Sequence, residues 1–202
     1  MYKKLFLLFI FLTFNSFALT VEELDSLIAE GRFQEAKEKF EASDLSRKNK
    51  NVIERLIKIY ANTGPRKDYY NYLAYYIKLG GNVKYQDVWA AAMGSFEIKD
   101  YNNTITFCKY SNYLSPNNHS VFNLMGVAYY YIQNYELSVI ALRSAVKLMP
   151  DEAIYIANLA RSYEDMKDYK NAYKYYKISL QKDPNFIRSR AALERLKNMG
   201  IN

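Results

Sequence analysis

Apolar and polar residues alternate with the period of an amphipathic helix through most of the chain. Between residues 85 and 186 the helical stretches come in pairs, and a short polar turn joins the two members of each pair. The three pairs occupy residues 85–118, 119–152 and 153–186, so each pair is 34 residues long. This pattern predicts three consecutive antiparallel helical hairpins.

Residues of one kind stand at the same position in each hairpin. Asp or Asn ends the polar turn, where its side chain can accept hydrogen bonds from the first amides of the second helix. Proline, which has no amide to offer a helix interior, marks the end of each hairpin. The N-cap candidates are Asp100, Asn134 and Asp168, the aromatic residues after them are Tyr101, Tyr135 and Tyr169, and the prolines are Pro116, Pro150 and Pro184. Coincidence does not place three prolines and three tyrosines in one register.

Small residues recur at three positions where two helices must approach closely. A bulky side chain there would hold the helices apart and leave voids in the pair. The first position carries Ala92, Gly126 and Ala160, the second Thr104, Ser138 and Ala172, and the third Ser111, Ala145 and Ser179. The small residues therefore predict tightly packed helix pairs, with large residues filling the space between them.

These features resemble the tetratricopeptide repeat (TPR) family, whose unit is a 34-residue helical hairpin with small, aromatic and proline signature positions. The segment 123–129 and the residues after it match best, and 153–186 matches nearly as well. The block 85–118 is weaker, because Ser95 stands where a large aromatic residue is usual. The resemblance implies an all-α, right-handed superhelical solenoid of antiparallel helix pairs. It also implies that the first helices line a concave groove that holds a peptide, an extended segment or a helix of a partner.

The repeat pattern is degenerate over residues 19–84. Thr20 and Glu23 form a capping-box pattern that opens a first helix. Helices are expected at 51–62 and 65–78, with Gly64 and Pro65 in the turn between them. At the other end, 187–202 predicts a polar-faced helix that caps the solenoid.

The first 18 residues have the order of segments of a secretory signal peptide. Lys3 and Lys4 precede an apolar run of ten residues, and Ser16 and Ala18 stand three residues and one residue before the expected cut. The alternative is an uncleaved membrane anchor, although the run is shorter than a spanning helix needs. The remaining chain has no apolar run of spanning length, so we expect an exported protein, in a bacterial periplasm or secreted.

The net charge of +7 falls to +5 without the signal peptide, which leaves 26 basic and 21 acidic residues. Basic and aromatic residues interleave in 46–84, where nine Lys or Arg accompany two acidic residues and a run of tyrosines at 69–76. Such surfaces can bind nucleic acid, but export argues against a nucleic-acid partner. Solubility, an anionic envelope surface or an acidic protein partner explains the charge equally well.

Little in the sequence predicts catalysis. One Cys and one His exclude an intramolecular disulfide and the common zinc patterns. Cys108 falls at a buried helical position, and His119 opens a helix, where a capping or surface role is expected. We find no nucleophile-base pair, metal-spaced cluster or phosphate-cradling loop, so we expect no enzyme, no cofactor and no metal.

The resemblance places a set of side chains in the concave groove. Aromatic residues dominate one end and charged residues the other, and Trp, Tyr and Arg are enriched among binding hot spots. The other interpretation is that aromatic residues with helical spacing belong to the core. The candidates are Trp89, Met93, Phe96, Asn123, Val127, Tyr130, Tyr131, Ala157, Arg161, Glu164 and Asp165. The Lys and Asn arrangement with which some family members clamp a terminal carboxylate is absent from the matching positions.

The sequence thus predicts a scaffold or adaptor that binds a protein partner within an envelope assembly. One alternative is a chaperone-like carrier that binds unfolded clients through the tyrosine-rich surface. Another is a non-catalytic regulator of an envelope enzyme. Self-association is also possible, most plausibly through the degenerate region 19–84.

Overall fold

A computed structural model describes residues 19–201 of the chain, so the predicted signal peptide and Asn202 lie outside the described residues. Residues 19–201 form eleven helices and no strand, which confirms the all-α class. None of these helices is long and apolar enough to cross a membrane. The helices are α1 (Val21–Ala29), α2 (Phe33–Glu41), α3 (Lys50–Thr63), α4 (Arg66–Lys78), α5 (Tyr85–Glu97), α6 (Tyr101–Leu114), α7 (His119–Tyr131), α8 (Tyr135–Leu148), α9 (Ala153–Asp165), α10 (Tyr169–Lys182) and α11 (Ile187–Asn198).

The chain divides after Thr63 into two compact units, so the predicted segment 19–84 belongs partly to each. Unit 1 holds α1 to α3. Thr20 caps α1 by accepting a hydrogen bond from the Glu23 amide, as predicted. The core of this unit contains fully buried aliphatic and aromatic side chains, among them Leu24, Phe40, Ile53, Leu56 and Ile59.

Unit 2 holds α4 to α11 and contains the three predicted hairpins as α5–α6, α7–α8 and α9–α10. The second helix of each is capped as predicted: the side chains of Asp100, Asn134 and Asp168 accept hydrogen bonds from the amide three residues later. The residues before these caps, Lys99, Gln133 and Lys167, have φ of 62°, 61° and 66°. Gly31 in unit 1, with φ of 73°, lies in the same 34-residue register, so the α1–α2 turn has the same left-handed backbone.

The small positions lie where the paired helices pack. Ala92, Ala160, Ala145 and Ala172 are completely buried. At the fifth, Gly126, an added Cβ would lie 2.6 Å from the Leu142 side chain. The prediction of close helix approach is confirmed at these positions.

Ser95, which weakened the repeat pattern, is completely buried. Its hydroxyl lies 3.1 Å from the Thr104 hydroxyl and donates to the carbonyl of Ala92. Aromatic volume in this part of the core comes from Tyr70 and Phe107, whose ring centroids are 6.1 Å apart. The first hairpin therefore packs around different residues from those that the later hairpins use.

Candidate functional site

A groove of about 480 Å³ opens on the side of unit 2 formed by the first helices of the hairpins. We call it the first-helix groove. Helix α9 contributes most of its wall, with residues that recur every three or four positions along one face. The lining residues are Tyr130, Ala157, Asn158, Arg161, Glu164, Asp165, Tyr176, Phe186, Arg188, Ala192 and Arg195.

The opposite face of α9 fixes this wall in place. Ile156, Leu159, Ala160 and Ser162 are buried, so the apolar stripe of the helix faces the core. The alternation of this stripe with polar residues leaves Arg161, exposed, on the groove side. An amphipathic helix of this kind presents its charged residues to the groove because the other face is packed.

Glu164 is at the centre of a hydrogen-bond network inside the groove. Its carboxylate accepts from the Tyr176 hydroxyl at 2.9 Å and from the Arg195 guanidinium at 2.7 Å. Only 15% of the Glu164 side chain is exposed. The hydrogen bond from Arg195 raises the pKa of that guanidinium, and burial together with the nearby carboxylate raises the pKa of Tyr176. The charge of Glu164 is therefore compensated within the protein.

A second network joins Tyr130, Arg161 and Asp165. The Tyr130 hydroxyl donates to the Asp165 carboxylate, and the guanidinium carbon of Arg161 lies 4.4 Å from the centre of the Tyr130 ring. Burial, and then the hydrogen bond to Asp165, raise the pKa of Tyr130 to about 12. Tyr130 therefore stays protonated at neutral pH and remains a donor to Asp165.

The two networks leave the groove with cations that a ligand can use. Among the described residues, neither Arg161 nor Arg188 forms an ion pair. Guanidinium groups present several donors in a planar arrangement that suits carboxylates and peptide carbonyls. Ala157 and Ala192 leave room along the floor between them. The arrangement is suited to holding a polar, extended ligand rather than to transforming one.

The structure brings together part of the predicted groove set. Tyr130, Ala157, Arg161, Glu164 and Asp165 all line the first-helix groove. Asn123 accepts a hydrogen bond at 3.0 Å from Asn158, which lines the groove, and Val127 packs against the core formed by Val139, Leu142 and Leu159. The role of these residues in ligand binding stays a prediction.

The predicted aromatic end lies apart from this groove. Phe96 packs edge-on against Tyr101, and Tyr131 stacks on Tyr101 with ring centroids 4.8 Å apart. Trp89 is half-buried, and Met93 is 43% exposed. Phe96 and Tyr131 thus satisfy much of their aromatic surface within the protein, which agrees with the alternative interpretation of such spacing as core packing.

Sequence reasoning missed the contribution of α11. Arg188, Ala192 and Arg195 lie on one face of that helix and form a wall of the groove. The signal was present, because Arg195 lies 34 residues after Arg161 and so continues the register of the first helices. Treating 187–202 only as a terminal cap concealed this register.

The residues considered for chemistry have structural surroundings. Cys108 is completely buried, as predicted, and burial raises the pKa of its thiol to about 12. The predicted capping role of His119 is wrong, since Asn118 caps α7. The Nδ1 atom of His119 lies 3.0 Å from the Tyr155 hydroxyl. Within residues 19–201, no group of three His, Cys, Asp or Glu side chains could hold a metal ion.

No protein-family profile matches the chain. Small glutamine-rich tetratricopeptide repeat-containing protein 2 of Saccharomyces cerevisiae is 33% identical over 61 residues, which are 30% of this chain and 18% of that protein. Among solved structures, MamA from Desulfovibrio magneticus superposes with a TM-score of 0.58 at 16% identity, covering 77% of this chain and 87% of that one. The first TPR of Spaghetti (RPAP3), bound to an HSP90 peptide, gives 0.55 at 16% identity over 57% of this chain and 92% of that one. The chain therefore has the TPR fold, a solenoid of helix pairs.

Proposed function

We propose that this protein is an exported scaffold that holds an extended segment of a partner protein in its first-helix groove. The partner is a component of a bacterial envelope assembly. The observation that carries the proposal is the state of the charges in the groove. Glu164 and Asp165 are engaged by Arg195, Tyr176 and Tyr130, whereas Arg161 and Arg188 have no ion-pair partner among the described residues.

Two further points support a binding role. Structural neighbours with this fold bind peptides, as the HSP90 peptide on Spaghetti illustrates. The groove also has no nucleophile, and His119 lies outside it. We therefore propose a non-enzymatic role, in which rigid helices position the side chains that contact the partner.

The scaffold is favoured over a carrier of unfolded clients. A carrier needs an extensive exposed apolar surface, and we expected it on the tyrosine-rich helix α4. There Tyr70 is buried, and Tyr69, Tyr72, Tyr75 and Tyr76 are half-buried. The first-helix groove is instead polar and specific in its hydrogen bonding, which suits one partner better than many.

Site-specific photocrosslinking in intact cells tests the proposal. A photoreactive phenylalanine derivative replaces Arg188, inside the groove, or Lys197, an exposed residue of the same helix outside it. We expect position 188 to crosslink to one or two proteins in fixed proportion, in the periplasmic fraction, and position 197 not to do so. Adding Arg161→Glu should reduce the crosslinking at position 188 by about tenfold, since it reverses a charge that the partner contacts.

Each other outcome contradicts a defined part of the proposal. Equal crosslinking at positions 188 and 197 would exclude the groove. A broad spread of unrelated proteins would favour the carrier, and recovery in the cytoplasm would contradict export. If the crosslinked protein is an envelope enzyme, an activity assay with and without this protein separates regulation from scaffolding.

A further inference from the structure

A second groove of about 490 Å³ lies between the second helices α8 and α10, with α9 beneath them. We call it the second-helix groove. It shares no lining residue with the first-helix groove. The side chains that line it are Ile140, Arg143, Ser144, Val146, Lys147, Leu159 and Tyr175.

The floor and one rim of this groove are apolar. Leu159 is buried at the base, and the Tyr175 ring is held by stacking on Tyr163, with centroids 5.5 Å apart and planes 10° from parallel. Ile140 stands at the rim and is 61% exposed. Val146, half-buried, continues the apolar surface along α8. An exposed aliphatic side chain beside a preformed apolar depression is a typical feature of an interaction site.

The charge around this groove is positive. Arg143 and Lys147 lie one turn apart on α8, and neither forms an ion pair among the described residues. On α10, the Lys174 ammonium lies 5.7 Å from the centre of the Tyr175 ring. Helix α10 has no acidic residue between Tyr169 and Lys182. No carboxylate lines the groove, in contrast to the first-helix groove with its two compensated acids.

We propose that the second-helix groove is a docking site for an acidic amphipathic helix of another protein. A groove between two helices accommodates a third helix, whose apolar residues three and four positions apart enter it. These residues would contact Ile140, Val146 and Tyr175, while carboxylates on the flank of the helix pair with Arg143 and Lys147. The two grooves are separate, so one solenoid could hold two partners at once, which goes beyond the single partner proposed above.

A protein helix fits this site better than an anionic membrane. The apolar atoms of Leu159, Val146 and Tyr175 line a depression, and a flat bilayer would reach only its rim. Peripheral helices that bind membranes bury an apolar face that projects outward. Here Ile140 is the single strongly exposed aliphatic side chain of the groove.

A synthetic probe tests the site on the full chain. The probe is a fluorescein-labelled helical peptide of about 20 residues, with leucine on one face and glutamate on both flanks, and a matched peptide carries glutamine for glutamate. In fluorescence anisotropy we expect the glutamate peptide to bind about tenfold more tightly than the glutamine peptide. The double variant Arg143→Glu, Lys147→Glu should lose most of that binding.

Matched variants separate docking from non-specific charge attraction. Lys170→Glu with Lys177→Glu makes the same change in net charge on α10, outside the groove, and should alter binding by less than about twofold. Ile140→Lys removes the apolar anchor but adds a positive charge. It should still weaken binding, and its high exposure makes a folding defect unexpected. Circular dichroism confirms that each variant is folded.

Three results would overturn the proposal. In the first, the Arg143 and Lys147 variant binds the peptide no worse than the Lys170 and Lys177 variant. In the second, Arg161→Glu in the first-helix groove abolishes peptide binding, which would assign the probe to the other groove. In the third, the protein ignores the peptide but binds vesicles rich in phosphatidylglycerol through Arg143 and Lys147, which would make the surface a membrane contact.

Discussion

Buried hydroxyl groups in unit 2 hydrogen-bond to one another between neighbouring helices. Ser138 Oγ lies 2.8 Å from Ser162 Oγ and donates to the Gly126 carbonyl at 2.8 Å, and Ser189 donates to Ser179 at 2.9 Å. An unpaired buried polar group costs about 1–3 kcal/mol, so these pairs let small polar residues occupy the core without that penalty.

Ser111 is the exception, and its substitution provides a test. Ser111 is completely buried, its hydroxyl has no hydrogen-bond partner, and the equivalent position of the next hairpin is Ala145. Ser111→Ala should therefore raise the free energy of unfolding by about 1 kcal/mol, because it removes an unsatisfied hydroxyl without a change of shape. The matched change Ser138→Ala should lower it by about 1–3 kcal/mol, because Ser162 loses a partner.

Urea denaturation of the two variants and the parent chain measures both effects. The opposite signs are the informative result, since both substitutions remove the same atom from the same kind of helix. Equal destabilisation by the two would show that Ser111 has a hydrogen-bond partner in solution.

The sequence could predict the size of these residues but not their partners. The 34-residue register identifies Thr104, Ser138 and Ala172 as one small position, which any small side chain can fill. Ser138 pairs with Ser162 of the next hairpin, 24 residues away, and that pairing depends on how consecutive hairpins stack. A repeat pattern describes one hairpin and contains no information about the exact contacts between hairpins.

At the scale of helices, Gly126 and Leu142 define how closely α7 and α8 approach. A Cβ at Gly126 would lie 2.6 Å from Leu142 Cγ and 3.2 Å from the Leu142 backbone nitrogen. The equivalent pair in the preceding hairpin is Ala92 with Cys108, in which the first residue is larger and the second smaller. The two hairpins thus reach a similar packing with complementary pairs of residues.

Substitutions at this pair should show strong coupling. Gly126→Ala alone should lower the free energy of unfolding by about 1–3 kcal/mol, because the added methyl group overpacks the interface. Leu142→Cys alone should also destabilise, because it leaves a cavity. The double variant reproduces the pair of the preceding hairpin and should recover stability relative to the sum of the two single changes.

A double-mutant cycle by thermal or urea denaturation measures this coupling. The control is Gly126→Ala combined with Val88→Ala, a buried change in another hairpin whose effect should simply add. Additive losses in Gly126→Ala, Leu142→Cys would mean that Leu142 does not determine the space at Gly126.

The helices themselves were predictable, whereas the shape of the site was only partly so. The caps at Asp100, Asn134 and Asp168 follow from local chemistry, because each side chain bonds to an amide three residues away. The first-helix groove depends on side chains from four helices, and the pattern within α9 located only its central wall. The Glu164 to Arg195 contact spans 31 residues and requires the stacking of α11 on α9 and α10.

At the scale of the molecule, the helix pairs of unit 2 have their own core and carry both grooves. Helix α11 closes one end of that core. Its Ala192, Leu193 and Leu196 pack with the buried residues Ala160 and Tyr176 of the last hairpin. A solenoid needs such a covering helix, because each hairpin leaves one apolar face for its neighbour.

Two fragments test whether unit 2 folds alone and depends on α11. The fragment 64–202 should be helical and melt cooperatively within about 5 °C of the full chain, because the division after Thr63 leaves α4 to α11 intact. The fragment 64–182 should melt much lower or lose cooperativity, since it exposes the apolar surface that Leu193 and Leu196 cover. Circular dichroism melts of both fragments give the comparison. If 64–202 fails to fold, unit 2 needs residues 19–63. If 64–182 is as stable as 64–202, α11 serves only as a wall of the first-helix groove.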